Sequence, residues 1–174
     1  MIAFRHADPR FPFLWESHDQ PPARWHAAGE GPVQYLCDTP DGAWAEFLRH
    51  EEITDPADLP TIRRAMWAIE LPHEPATSPE LPAATLRGGP TTYAACQAEA
   101  HRVRALGHRR LETPSSALRR AGARGQGVQG GLVAGPARDG RVIVLFGPRP
   151  DLVGWLASAA AHPDERHLTL VRHF

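Results

Sequence analysis

Lysine is absent from this chain of 174 residues, and all 19 of its basic side chains are arginine. Schiff-base chemistry on a lysine is therefore excluded, whereas the planar guanidinium group favours bidentate binding of phosphate. The formal net charge of −1 indicates no global electrostatic field. We therefore expect neither direct binding to nucleic acid nor attraction to an anionic membrane surface.

Cysteine is scarce, and long apolar runs are missing. Cys37 and Cys96 have no C-x-x-C spacing, which excludes a zinc knuckle or a redox pair of that type and predicts two buried thiols. No apolar run approaches the length of a membrane span, and residues 1–10 lack the pattern of a secretory leader. We therefore expect a soluble, cytoplasmic protein.

The composition that is present is typical of a globular domain. Hydrophobic residues make up 42% and charged residues 22% of the chain, which is enough to bury a core. We predict a single domain over residues 1–174. The ten histidines are scattered without the spacing of metal ligands, so no metal site is predicted.

The order of strand and helix patterns predicts an α+β fold, in which helices flank a small mixed sheet. Strands are predicted at 1–5, 33–37, 65–71 and 109–112, helices at 40–51 and 91–106, and loops at 7–32, 72–90 and 119–131. Three predictions concern the later part of the chain: a hairpin of 131–134 with 141–146, a short helix around 152–160, and a final strand at 167–172.

The best-defined helix begins at Pro40, since the polar residues before it can cap the N-terminus and proline fits the first helical position. Glu46 lies about 130° from the centre of the apolar stripe of this helix, at the edge of the buried face. A carboxylate there could face a cleft. The alternative is an ion pair with Arg49 or His50 on a solvated helix face.

Other segments hold residues that could bind an anion or a ring. Arg24 stands beside Trp25 in a proline-rich loop, Tyr35 lies in the strand before the helix, and the serine pair Ser115 and Ser116 follows further downstream. Each also has a structural explanation. Arg24 could anchor its loop by a cation–π contact, Tyr35 could belong to the core, and Ser115 could cap a helix.

These residues carry a resemblance to a known family. Y-L-C-D-T-P-D-G-A-W-A-E-F-L-R-H resembles the RES-domain signature, in which a tyrosine-bearing strand leads through a polar turn into a helix with the family glutamate. A-R-W-H resembles the segment that supplies the family arginine, although histidine replaces the usual asparagine, and E-T-P-S-S-A-L resembles the segment that supplies the serine. The resemblance extends from about Phe4 to Pro150 and is strongest between Arg24 and Arg49.

RES proteins are known as NAD+-consuming toxins of bacterial toxin–antitoxin pairs, on a fold similar to that of ADP-ribosyltransferases. The resemblance implies that this chain cleaves the nicotinamide–ribose bond of NAD+, with inorganic phosphate as co-substrate and no bound cofactor. It implies an antitoxin partner of the helix-turn-helix (Xre) type, and a homodimer. The residues it implies are Glu46 and Arg24 as catalytic, and Tyr35, Ser115, Arg5 and Trp25 as substrate-binding.

The chemistry of these residue types agrees with such roles. The cleavage passes through an oxocarbenium-like state, whose positive charge Glu46 could stabilise. Arg24 could hold the diphosphate, Tyr35 offers a ring face to nicotinamide, and Ser115 could orient ribose or phosphate.

Two other functions remain open at this point, namely a protein ADP-ribosyltransferase of the same fold and a catalytically silent NAD-binding or interaction domain. The acceptor (phosphate, water or protein) and the choice between Ser115 and Ser116 also remain open.

Overall fold

The structure is a computed structural model that describes residues 1–173. Its strands are β1 (Ile2–Ala7), β2 (Val33–Cys37), β3 (Arg64–Glu70), β4 (Arg110–Pro114), β5 (Gln126–Val128), β6 (Leu132–Ala134), β7 (Arg141–Phe146) and β8 (Val153–Ala161). Its α-helices are α1 (Pro40–His50), α2 (Ala83–Arg87), α3 (Tyr93–Ala105) and α4 (Glu165–Leu170), and short 3₁₀ helices span Pro56–Thr61 and Pro90–Thr92.

The main sheet has the strand order β4-β7-β2-β1-β3-β8, and the pairings between these strands are antiparallel. β5 and β6 form a separate two-stranded ribbon. A parallel bridge between Thr77 and Leu111 attaches the long connection after β3 to the β4 edge. This sheet with its helices confirms the predicted α+β class. The predicted domain also includes Phe174, which lies outside the described residues.

Alternate residues of a strand point to opposite sides, and both faces of the sheet carry packed side chains except along β8, which is largely exposed. On one face α1 packs against β1: the ring of His6 stacks on Trp44 and meets Phe47 edge-on. On the other face the loop that follows β1 supplies Phe13, whose ring lies 5.1 Å from that of Trp67. The face under α1 is the one that carries the candidate site.

The connection from β2 into α1 agrees with the sequence prediction. β2 spans Val33–Cys37 as predicted, and α1 begins at Pro40, where the Thr39 hydroxyl accepts a hydrogen bond from the backbone N–H of Gly42 at 3.0 Å. The strands predicted at 1–5, 65–71 and 109–112 and the helix at 91–106 are present with slightly different bounds. The predicted loop at 72–90 contains the short helix α2.

Three predictions for the later part of the chain are wrong. β7 pairs with β2 and β4, whereas 132–134 pairs with β5, so the predicted hairpin does not form. The alanine-rich stretch after Leu152 is strand β8, because its pairing with β3 outweighs the helix preference of alanine. Residues 167–170 of the predicted final strand belong instead to helix α4, which Asp164 and His167 start with a reciprocal capping box.

Cys37 and Cys96 are free thiols and both are buried, as predicted. Within residues 1–173, no helix combines the length and apolar character needed to cross a membrane.

Candidate active site

The carboxylate of Glu46 lies between α1 and the loop that follows β4. Its Oε1 accepts hydrogen bonds from the Ser115 hydroxyl at 2.8 Å and from the backbone N–H of Ala117 at 3.4 Å. The Ser115 Oγ in turn accepts a hydrogen bond from the backbone N–H of Leu118 at 2.9 Å. Because the backbone donors occupy the acceptor side of this hydroxyl, its proton points to Glu46. Glu46 is half-buried and Ser115 is buried.

Arg49 links this pair to the rest of the site. It lies in α1 one turn after Glu46, is 4% exposed, and donates through Nη1 to the carbonyl of Ser116 and through Nη2 to the carbonyl of Gly88 at 3.3 Å. Burial lowers the pKa of Arg49 to about 10, while the nearby carboxylate of Glu46 acts to raise it. Of the two serines, Ser115 is the one whose hydroxyl contacts Glu46, whereas Ser116 contributes its backbone carbonyl to Arg49.

Arg24 is also buried, and it donates to the same carbonyl group as Arg49, that of Gly88. Its Nη2 donates to the carbonyl of Gly88 at 2.6 Å, and its Nη1 donates to the carbonyl of Thr85 at 3.3 Å and to the Thr92 hydroxyl at 3.2 Å. Its guanidinium carbon lies 4.9 Å from the centre of the Tyr93 ring. These contacts anchor the side chain through neutral groups.

The hydroxyl of Tyr35 holds the turn that carries Arg24. It accepts a hydrogen bond from the backbone N–H of Trp25 at 3.0 Å and lies 2.9 Å from Nδ1 of His26. Gln97 of α3 donates to the carbonyl groups at both ends of this turn. Burial raises the pKa of Tyr35 and lowers the pKa of His26, so we expect both side chains to be neutral and to position the turn through hydrogen bonds.

Of the other two predicted site residues, Trp25 is linked to this group through its backbone N–H, and Arg5 lies apart from it. Trp25 is 1% exposed and belongs to the main hydrophobic core. Arg5 donates to Gln34 Oε1 at 2.6 Å, and strand alternation places this contact on the face of the sheet opposite α1. The structure thus brings together the other four predicted residues, which are Arg24, Tyr35, Glu46 and Ser115.

The structure also adds residues that the sequence interpretation did not assign to the site. Arg49 stands three residues after Glu46, a spacing that places both on one side of a helix, so the motif itself contained that signal. Arg172 donates through Nη2 to the carbonyl of Arg87, next to Gly88. The sequence contains no signal for this second contact, because it depends on how the segment after α4 packs.

A metal centre has no ligand set in the described chain. Within residues 1–173, no group of three or more histidine, cysteine, aspartate or glutamate side chains could hold a metal ion. The charged groups of the site are instead guanidinium groups and the carboxylate that accepts the serine hydroxyl. Such an arrangement can bind an anion and stabilise a developing positive charge.

Comparison with known proteins agrees with this architecture. The fold is similar to one in the crystal structure of the M. tuberculosis MbcT–MbcA toxin–antitoxin complex, with a TM-score of 0.63 and 14% sequence identity over 97% of this chain and 86% of that chain. No curated protein matches the sequence. The family model described as "RES domain" matches residues 2–163. Because this match covers nearly the whole chain, the chain belongs to the RES domain family.

Proposed function

We propose that this RES domain is an NAD+-consuming enzyme that cleaves the nicotinamide–ribose bond and acts as the toxin of a toxin–antitoxin pair. Membership of the RES family supports the substrate class, and the similar fold found in a toxin–antitoxin complex supports the role. The observation that carries the proposal is the hydrogen bond from Ser115 to Glu46, beside the buried guanidinium groups of Arg24 and Arg49.

The proposed reaction breaks the bond between C1′ of the ribose and the ring nitrogen of nicotinamide. The electron pair of this bond leaves with nicotinamide, which becomes neutral, while positive charge develops on the ribose. The carboxylate of Glu46 stabilises that charge most strongly in a water-poor position. An oxygen of inorganic phosphate then forms a bond with C1′, which gives ADP-ribose 1-phosphate and free nicotinamide.

The neighbouring side chains prepare Glu46 and the substrate for this step. Ser115 fixes the carboxylate by donating to Oε1, so the negative charge is oriented before the substrate binds. Arg24 and Arg49 provide fixed positive charges that suit the diphosphate of the dinucleotide. Tyr35 acts by holding the turn of Arg24 through the Trp25 backbone.

An antitoxin partner is part of the same proposal, because the similar structure is a complex of toxin and antitoxin. We expect this partner to cover the approach to Glu46 and to stop turnover when bound. The helix-turn-helix type of the antitoxin and a homodimer of this chain follow from the family resemblance.

The test is the release of nicotinamide from NAD+ by the purified protein, with and without inorganic phosphate, beside the Glu46→Gln variant. We expect release that increases with phosphate and falls about 100-fold or more in Glu46→Gln. Glu51→Gln is the matched control, because Glu51 is exposed at the end of the same helix.

Other outcomes would correct or reject the proposal. Release without any effect of phosphate would indicate a glycohydrolase, and label transferred from NAD+ to a protein would indicate an ADP-ribosyltransferase. Binding of NAD+ without release of nicotinamide, in a folded protein, would reject the enzyme and leave the silent binding domain.

A further inference from the structure

The turn that carries Arg24 is four residues long and closes on itself. The backbone N–H of Ala23 donates to the carbonyl of His26 at 3.0 Å, and the N–H of His26 donates back to the carbonyl of Ala23 at 3.3 Å. This reciprocal pair forms an antiparallel bridge, with Arg24 and Trp25 between its ends. The two hydrogen bonds shape the turn, but they do not attach it to the rest of the protein.

Gln97 of α3 provides such an attachment with its side-chain amide. Its Nε2 donates to the carbonyl of Ala23 at 2.9 Å and to the carbonyl of His26 at 3.1 Å. The amide nitrogen carries two protons and can therefore serve two acceptors at once. The two carbonyl groups are the ones that close the turn, so Gln97 fixes both ends of the turn to α3.

The chain just before Gln97 holds the far end of the Arg24 side chain. The guanidinium group donates to the carbonyl groups of Thr85 and Gly88 and to the Thr92 hydroxyl. One contiguous segment, residues 85–97, therefore contacts both the guanidinium group and the backbone turn of the same arginine.

Tyr93 and Gln97 lie on one side of α3, because residues four apart in a helix are neighbours. Tyr93 places its ring 4.9 Å from the guanidinium carbon of Arg24, while Gln97 holds the turn from which this side chain extends. A shift of the turn relative to α3 would therefore displace the guanidinium group from its acceptors and from the ring.

We propose that Gln97 is a positioning residue of the active site, which holds the turn of Arg24 so that the guanidinium group meets the phosphate groups of the dinucleotide. For the identity of this substrate the inference rests on the proposed function; the attachment of the turn by Gln97 does not. Gln97 lies outside the three segments that carry the family resemblance, so the resemblance assigns it no role.

The first experiment measures amide hydrogen exchange in the full chain for two variants, Gln97→Met and Gln97→Glu. Both keep the length of the side chain and remove the amide protons, and only the second adds a charge. We expect the amides of residues 23–26 to exchange at least about tenfold faster in both variants, because the turn loses its attachment at both ends. Unchanged exchange in β7 establishes that each variant is folded. Gln129→Glu is the matched control, because Gln129 is an exposed glutamine that undergoes the same change of charge.

The second experiment measures the steady-state kinetics of nicotinamide release by the same proteins. We expect both Gln97 variants to raise the KM for NAD+ about three- to tenfold while kcat changes less, since the turn positions a binding group. Gln129→Glu should keep both wild-type values. A contact that only stabilised the fold would reduce the amount of active protein and hence the apparent kcat, with an unchanged KM, and this result would overturn the positioning role.

The two proposals fail in different ways. Glu46-dependent release with a wild-type KM in both Gln97 variants would overturn the role of Gln97 alone. An effect of Gln97→Glu without one of Gln97→Met would also overturn it, because the added charge would then be the cause. In a protein that releases no nicotinamide, faster exchange of residues 23–26 in Gln97→Met would retain the attachment of the turn and reject the proposed function, whereas unchanged exchange would reject both.

Discussion

The hydroxyl of Ser115 donates a hydrogen bond of 2.8 Å to Oε1 of Glu46, which ties the end of β4 to the middle of α1. The Oγ of Ser115 also accepts a hydrogen bond from the backbone N–H of Leu118, and this contact closes the turn after β4. No helix directly follows Ser115, so it is not the helix cap considered from the sequence; its hydroxyl instead closes a turn and contacts the carboxylate. A change at Ser115 therefore affects both the turn and the orientation of Glu46.

Replacement of Ser115 by alanine should lower both stability and activity. The loss of one donor to a partly buried carboxylate and of one acceptor for the turn should lower the free energy of unfolding by about 1–3 kcal/mol. Nicotinamide release should fall about tenfold or more, because Glu46 loses its fixed orientation. Denaturant unfolding and a release assay measure the two effects.

Ser116→Ala is the control for this prediction, because Ser116 contacts Arg49 through its backbone carbonyl, which alanine keeps. Ser115→Thr retains a hydroxyl and should recover part of the activity. Equal activity of Ser115→Ala and Ser116→Ala would show that the contact between Ser115 and Glu46 does not contribute to nicotinamide release.

The part of the fold that the sequence predicts best is the connection from β2 into α1. Its signals are local: a short apolar strand, a polar stop, and Pro40 at the first helical position. These signals place Glu46 on the edge of a buried face, and the structure shows it half-buried there. Local chemistry was sufficient because the element and its caps are contiguous in sequence.

The later elements could not be predicted in this way, because distant partners determine them. Four of the nine residues of β8 are alanine, which favours a helix in isolation, but β3 provides the hydrogen bonds that make the segment a strand. β7 lies between β2 and β4, so its neighbours are far away in the sequence. The position of Arg172 is likewise determined by a distant part of the chain, since it depends on the bridge between Leu118 and Val171.

Replacement of Tyr35 by phenylalanine separates the role of its hydroxyl from that of its ring. The variant leaves the buried N–H of Trp25 without its acceptor, which should cost about 1–3 kcal/mol of unfolding free energy. Because the turn of Arg24 then loosens, the KM for NAD+ should rise several-fold while kcat changes less.

Tyr93→Phe is the matched control, since its ring stays beneath the guanidinium group of Arg24. If Tyr35 contacted nicotinamide only through its ring face, Tyr35→Phe would behave like wild type and Tyr35→Ala would lose affinity. A wild-type KM for Tyr35→Phe would thus contradict the positioning role.

His6 should make the protein less stable in acid. Its ring packs against Trp44 and Phe47, and burial lowers its pKa to about 3 from an ordinary value near 6.5. Between these two values the unfolded chain binds a proton that the folded protein does not. The stabilisation is therefore complete above pH ~6.5 and declines as the pH falls towards ~3, by up to about 1.4 kcal/mol per pH unit.

The measurement is the free energy of unfolding as a function of pH for wild type and His6→Phe. The variant should show a shallower decline, because phenylalanine keeps the aromatic contacts and removes the titrating group. His73→Phe, at an exposed position, should keep the wild-type slope. Parallel curves for wild type and His6→Phe would show that His6 does not contribute to acid sensitivity.

Asp41 holds α4 against α1, and through it the segment that carries Arg172. Its Oδ1 lies 3.2 Å from Nε2 of His167, and this hydrogen bond is the main cause that lowers the pKa of Asp41, with Arg166 adding to it. A carboxylate with a lowered pKa stabilises the fold above its unfolded pKa, and this stabilisation is lost as the pH falls through the folded value.

Asp41→Asn should therefore speed hydrogen exchange in residues 165–172 while leaving the exchange of β2 and β7 unchanged, because the variant removes the charge that holds α4 against the first turn of α1. Asp58→Asn, at an exposed position, removes the same charge as a control. Equal exchange of residues 165–172 in Asp41→Asn and Asp58→Asn would show that the carboxylate of Asp41 does not hold α4 in place.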